Sequence, residues 1–68
     1  MKIFIQKQMF FERHTGDGHE VVIYFAARRV YEVYVDGEFY ATAEHLLAAH
    51  NEIIDVIMQN NWAPIRPV

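Results

Sequence analysis

The hydrophobic pattern of this chain changes its period once, from the alternation typical of strands to the spacing of a helix. Residues 2–13 are rich in β-branched and aromatic side chains, and they predict a long first strand. Similar segments at about 19–27, 29–35 and 38–42 predict three more strands. The pattern therefore indicates a sheet built from the N-terminal two thirds of the chain.

Turn-forming residues separate these segments. Residues 14–18 contain two glycines and an aspartate, which tolerate positive φ, and they predict the first turn. Asp36-Gly37 predicts a two-residue hairpin that pairs Val33 with Tyr40. Residues 27–29 contain neither glycine nor proline, so they fit either a tight turn or a bulge in one bent strand. We favour the turn.

A single amphipathic helix is predicted at about 43–61. Thr42 is the expected N-cap, and Glu44 is expected in the first turn, where the helix dipole favours an acidic residue. Pro64 prevents continuation, and residues 62–68 are expected to form an extended tail. Seven residues at helical spacing form the apolar arc: Leu46, Leu47, His50, Ile53, Ile54, Ile57 and Met58.

These elements predict an α+β fold in which an antiparallel sheet of three to four strands precedes one C-terminal helix, in the order β-β-β-β-α. The 68 residues are expected to form one domain, 1–68. A chain of this length buries a small core, and such chains are commonly stabilised by disulfides, a metal or oligomerisation. Cysteine is absent, which leaves association or a histidine-based metal site.

Both faces of the predicted sheet are largely apolar or aromatic. An antiparallel sheet with one wet face normally carries polar residues on that face, so we expect the face without the helix to meet a partner. Alternation does not say which face the helix covers, and the candidate interface therefore takes residues from both. Its members are Phe4, Phe10, Tyr24, Tyr31, Val33 and Tyr40.

Charge is divided unevenly along the chain. Residues 1–31 carry five basic and three acidic side chains, whereas 32–68 carry one basic and six acidic side chains. Opposite halves suit self-association, although ordinary solvated charges explain the same pattern more simply. The net charge of −3 makes nucleic acid an unlikely partner, because nucleic-acid-binding domains normally have a basic surface.

Nucleic-acid binding through the basic N-terminal half is nevertheless the alternative function. Phe4, Phe10 and Tyr24 are aromatic side chains of the kind that stack on bases. The hairpin and helix of residues 31–54 resemble, in layout, the arm-type DNA-binding domains of phage integrases. The basic side chains on which this alternative depends are Lys2, Lys7, Arg13, Arg28 and Arg29.

Histidines are the candidate metal ligands. His45 and His50 are five residues apart, so they point in different directions from a helix and cannot chelate one ion together. His50 lies on the apolar arc, where a core-edge role is expected and a pH-sensitive switch is the alternative. Near the first turn, His14, Asp17, His19 and Glu20 match no ligand template. We therefore predict no metal and no cofactor.

Enzyme motifs are absent from the sequence, which also contains no serine. We expect a non-catalytic protein-interaction domain, either a homodimer or an accessory or inhibitory subunit that docks on another protein. By analogy, such small independent chains occur among phage and mobile-element proteins. No apolar run is long enough to span a membrane, and the apolar N-terminal run is interrupted at Gln6. We expect a cytoplasmic location, with no signal peptide and no small-molecule substrate.

Overall fold

A computed structural model describes residues 8–63 together with the backbone of 66–67. Four antiparallel strands precede one helix, which confirms the predicted α+β fold. The elements are β1 (Met9–Gly16), β2 (His19–Ala27), β3 (Val30–Val35), β4 (Glu38–Ala43), α1 (Leu46–Asn60) and β5 (Arg66–Pro67). Strand order is β4-β3-β2-β1-β5, with β5 antiparallel to β1. The predicted start of the first strand, 2–7, lies outside the described residues.

Two-residue turns close the first and third hairpins. Asp17 and Gly18 have φ of 54° and 77°, and Asp36 and Gly37 have φ of 50° and 86°. Aspartate and glycine tolerate this left-handed conformation, which matches the twist of the flanking strands. The predicted first turn, 14–18, was too wide, because its first three residues continue the ladder with β2.

Each pair of neighbouring main strands contains one register shift of the kind that a bulge produces. The shift between β3 and β4 places Val33 opposite Ala41, so the predicted pairing of Val33 with Tyr40 was wrong. Because Tyr40 is the extra residue, Ala41 moves to the face that carries Val33. The ambiguous segment 27–29 contains a turn at its last two residues, with a register shift just before it, between Phe25 and Ala27.

The helix begins three residues later than predicted. Thr42 and Ala43 pair with β3 and remain in the sheet, so Thr42 is not the N-cap and Glu44 precedes the helix. His45 is the N-cap, and its Nδ1 accepts a hydrogen bond from the Ala48 N–H at 3.1 Å. At the other end Asn61 adopts the left-handed conformation that commonly ends helices, with φ of 56°.

The core lies between α1 and one face of the sheet, mainly over β3 and β4. Its buried residues are Val21, Ile23, Val33, Ala43, Ala49, Ile53 and Val56. The buried side of α1 is rotated relative to the predicted arc, because the small Ala49 packs against the sheet while Leu47, Ile54 and Met58 are exposed. Within the described chain, no helix has the length and apolar character needed to cross a membrane.

Candidate functional site

Three polar side chains meet between β1 and α1 and form what we call the polar cluster: Glu12, His14 and His50. One carboxylate oxygen, Oε2 of Glu12, accepts from Nε2 of His14 at 2.7 Å and from Nε2 of His50 at 3.0 Å. The two imidazole rings meet edge to face, with centroids 5.6 Å apart. His14 is buried at 6% exposure, and the other two side chains are partly accessible.

The irregularity of β1 explains why Glu12 and His14 face the helix. Phe10 pairs with Tyr24, but Glu12 pairs with Ile23, so Phe11 is an extra residue in the ladder. Without this shift, alternation would place Glu12 on the opposite face. The bulge turns Glu12 and His14 toward α1, where His50 lies beside the buried side of the helix.

The electrostatics of the polar cluster favour a charged carboxylate. Burial alone would raise the pKa of Glu12. Hydrogen bonds from His50 and His14, and the positive charge of these histidines when they are protonated, lower it by more than burial raises it. The result is a pKa for Glu12 below its ordinary value. The cluster therefore presents an ionised carboxylate next to two imidazoles.

The three residues each offer one donor atom, and these atoms all lie within 4.8 Å of one another. Among the described residues, the polar cluster is the group of side chains that could hold a metal ion. Sequence reasoning missed it, because it grouped His14 with its neighbours in the first turn and never considered Glu12. The glutamate and histidine two apart on one strand were a usable signal, since such residues share a face.

The histidines of the first turn do not gather with His14. Nδ1 of His19 donates a hydrogen bond to Oδ2 of Asp36 at 2.8 Å, and the His19 ring stacks on Trp62. His45 caps the helix. The structure thus separates His19 and His45 from His14 and His50. Sequence spacing gave no indication that His14 and His50 lie together.

Four aromatic rings, one from each main strand, form a continuous ladder on the face opposite α1. We call this set the aromatic face: Phe10, Tyr24, Tyr34 and Phe39. Neighbouring ring centroids are 6.4, 5.3 and 5.7 Å apart in that order, all edge to face. Phe10 and Phe39 at the two ends are 62% and 56% exposed, so the ladder is open to solvent.

The candidate interface residues divide between the two sheet faces. Phe10 and Tyr24 belong to the aromatic face, whereas Tyr31 packs beside the core against Phe11 and Phe25. Val33 lies under the helix at 0% exposure and is not accessible to a partner.

The other two candidates are Tyr40 and Phe4. Tyr40 lines a shallow groove together with Phe39 and Trp62, and Phe4 lies outside the described residues. The structure adds Tyr34 and Phe39, which the sequence analysis did not select. The pairing of Tyr34 across the Asp36-Gly37 hairpin with Phe39 was the signal that could have found both.

Comparison with known proteins adds no relative. No protein-family model matches the sequence, and neither a curated protein nor a solved structure shows significant similarity to it. The polar cluster and the aromatic face are therefore the features from which a function can be inferred.

Proposed function

We propose that this chain is a small non-catalytic protein-interaction domain that forms a homodimer through its aromatic face. The observation that carries the proposal is the ladder of four rings on the face that α1 leaves uncovered. Aromatic side chains with a polar tip, such as tyrosine, are enriched at protein interfaces because they combine a large apolar surface with a hydrogen-bonding group.

The exposed rings of the aromatic face would gain free energy from burial. Full burial of one large apolar side chain contributes about 1.5 to 3 kcal/mol, and Phe10 and Phe39 are each more than half exposed. Two sheets pack face to face at a separation of about 10 Å with interdigitating side chains. Packing of this kind between two copies would bury both phenylalanines at once.

A second copy is the preferred partner for two reasons. The chain is small and has no cysteine, so association is one of the few available means of enlarging its core. The face also carries both charge signs, because Arg13 forms an ion pair with Glu20 at 3.6 Å and Glu32 lies next to the rings. Two copies of this face therefore do not repel each other as two faces with a single charge sign would.

Nucleic-acid binding receives less support from the arrangement of basic residues. Arg13 is paired with Glu20, and Arg28 and Arg29 lie at the opposite end of β2, in the turn to β3. Lys2 and Lys7 lie outside the described residues. The three described arginines are thus not gathered beside the aromatic face.

The test is solution mass by light scattering over a dilution series. We expect a mass near twice the 8.0 kDa chain for the wild type and a monomer for Phe39→Glu. Leu47→Glu is the matched control, because Leu47 is an exposed apolar residue on α1, away from the aromatic face. A monomeric wild type at all concentrations would refute the homodimer, and a dimer broken only by Leu47→Glu would move the interface to the helix.

A further inference from the structure

We propose that Glu12, His14 and His50 form a binding site for a divalent transition-metal ion, with Zn²⁺ as the best match. This proposal is independent of the homodimer, because the polar cluster and the aromatic face lie on opposite sides of the sheet. It assigns a specific role to residues that the proposed interface does not use.

The donor set selects the class of ion. Two imidazole nitrogens and one carboxylate oxygen are typical Zn²⁺ ligands, whereas Ca²⁺ and Mg²⁺ prefer oxygen ligands throughout. The three donor atoms converge within 4.8 Å and come from two elements, β1 and α1. Three protein ligands leave a fourth position of a tetrahedral ion for water.

The three donor atoms must change their separations to accept an ion. Bonds of 2.0 to 2.1 Å around a tetrahedral ion place ligand atoms about 3.3 Å apart. Nε2 of His14 and Nε2 of His50 lie 2.7 and 3.0 Å from Oε2 of Glu12, so these two distances must lengthen by about 0.6 and 0.3 Å. The three donor atoms lie within 4.8 Å of one another, and the separation between the two histidine nitrogens must also settle at about 3.3 Å. His50 can make this movement because its side chain is 38% exposed, whereas His14 is held in place by burial.

The proton balance is simple. In the metal-free cluster the Nε2 hydrogens of His14 and His50 point to the Glu12 carboxylate, since an ionised carboxylate can only accept. An ion needs the Nε2 lone pair, so a neutral imidazole carries its hydrogen on Nδ1 and an imidazolium releases one proton. The carboxylate then neutralises one of the two charges of the ion.

A bound ion would strengthen the connection between α1 and β1. The helix packs mainly on β3 and β4, and the hydrogen bond between His50 and Glu12 joins it to β1. Coordination would replace that hydrogen bond with bonds from both elements to one ion. A structural metal is a common means of stabilising chains of this size that have no disulfides.

The experiment uses the full chain without a polyhistidine tag and freed of metal by a chelator. Zn²⁺ binding is measured by calorimetry, and the coordination geometry by the visible absorption of Co²⁺. The two variants are His50→Ala, which removes a ligand, and His45→Ser, which removes a helix histidine but supplies a good N-cap residue.

We expect one Zn²⁺ per chain, a rise in the melting temperature on addition of Zn²⁺, and a tetrahedral Co²⁺ spectrum. His50→Ala should weaken binding by at least about 100-fold, more than the loss of an outer-shell residue costs, while His45→Ser should bind as the wild type does.

Imidazole nitrogen NMR provides a second readout that remains valid if a variant is destabilised. Zn²⁺ should shift Nε2 of His14 and His50 in the wild type and leave His19 and His45 unchanged. No binding, one ion shared by two chains, equal losses in the two variants, or shifts centred on His19 would each overturn the proposal.

Discussion

The imidazole of His19 lies flat against the indole of Trp62, with ring centroids 3.7 Å apart and 11° between the ring planes. Trp62 follows the helix, whereas His19 begins β2, so the stack joins the segment after α1 to the first hairpin. Beside it, the Ala63 N–H donates to Oδ2 of Asp17 at 3.1 Å. The segment after α1 is thus held against the first hairpin turn.

Loss of this stack should lower stability. We expect Trp62→Ala to reduce the free energy of unfolding by about 1 to 2 kcal/mol, since an aromatic pair contributes about 0.5 to 1.5 kcal/mol beyond the area it buries. Trp62→Phe should cost less because a ring remains. Urea unfolding followed by circular dichroism measures both, as Trp62 is the sole tryptophan and its loss removes the fluorescence signal. An unchanged midpoint in Trp62→Ala would contradict the role assigned to the stack.

Asp36 should make stability depend on acid. Its pKa lies below the ordinary aspartate value, chiefly because His19 hydrogen-bonds to Oδ2 and secondly because the Glu20 N–H donates to Oδ1. A carboxylate with a lowered folded-state pKa stabilises the native state above its unfolded-state pKa, and that contribution disappears as pH falls through the folded-state pKa.

The variant for this test is Asp36→Asn, because asparagine tolerates the left-handed conformation of this position. As pH falls from about 5 to about 2, the melting temperature of the wild type should fall more than that of the variant. Any difference in turn preference between the two residues is independent of pH and leaves this change unaffected. A difference that stayed constant over the range would show that the carboxylate charge is not coupled to folding.

The N-cap at His45 can be improved. Histidine accepts the Ala48 N–H here, but aspartate is a stronger N-cap and adds a negative charge that the helix dipole favours. We expect the melting temperature to rise in the order His45→Ala, wild type, His45→Asp. Loss of the cap should cost about 1 kcal/mol. Helical circular dichroism during thermal unfolding tests the order, and a His45→Ala variant as stable as the wild type would show that the cap contributes nothing.

Local patterns predicted the four main strands and the helix, because alternation, the Asp-Gly turn and the helical arc are properties of short segments. The places where prediction failed depend on pairing between strands. Thr42 looked like an N-cap in sequence, yet its pairing with Glu32 holds it in β4. The register shifts at Phe11 and Tyr40 also reverse the faces that simple alternation assigns to the residues beyond them, and alternation contains no signal for these shifts.

The same limitation explains the polar cluster and the aromatic face. Glu12 joins the cluster only because of the register shift at Phe11, and His50 reaches it only because α1 packs with Ala49 against the sheet. The candidate interface residues divide between the two sheet faces because alternation does not show which face the helix covers. Tyr24 and Val33 were chosen together although they lie on opposite faces.

Two consecutive residues of β3 provide a direct test of this division of faces. Val33 is fully buried under α1, whereas Tyr34 lies in the middle of the aromatic face. We expect Val33→Ala to lower the free energy of unfolding by about 2 kcal/mol, through lost burial and the cavity that remains. The proposed dimer should keep its mass at concentrations where the variant is folded.

Tyr34→Ala should weaken the dimer while lowering the stability of the chain less than Val33→Ala does. It removes the central ring of the ladder, so the dimer should dissociate at a higher protein concentration than the wild type. Stability is compared at a dilution where the wild type is monomeric, since dimerisation itself would raise the apparent stability. There the loss in Tyr34→Ala should be smaller than in Val33→Ala, because Tyr34 is only partly buried. Dimer loss in Val33→Ala but not in Tyr34→Ala would mean that the two faces have been assigned the wrong roles.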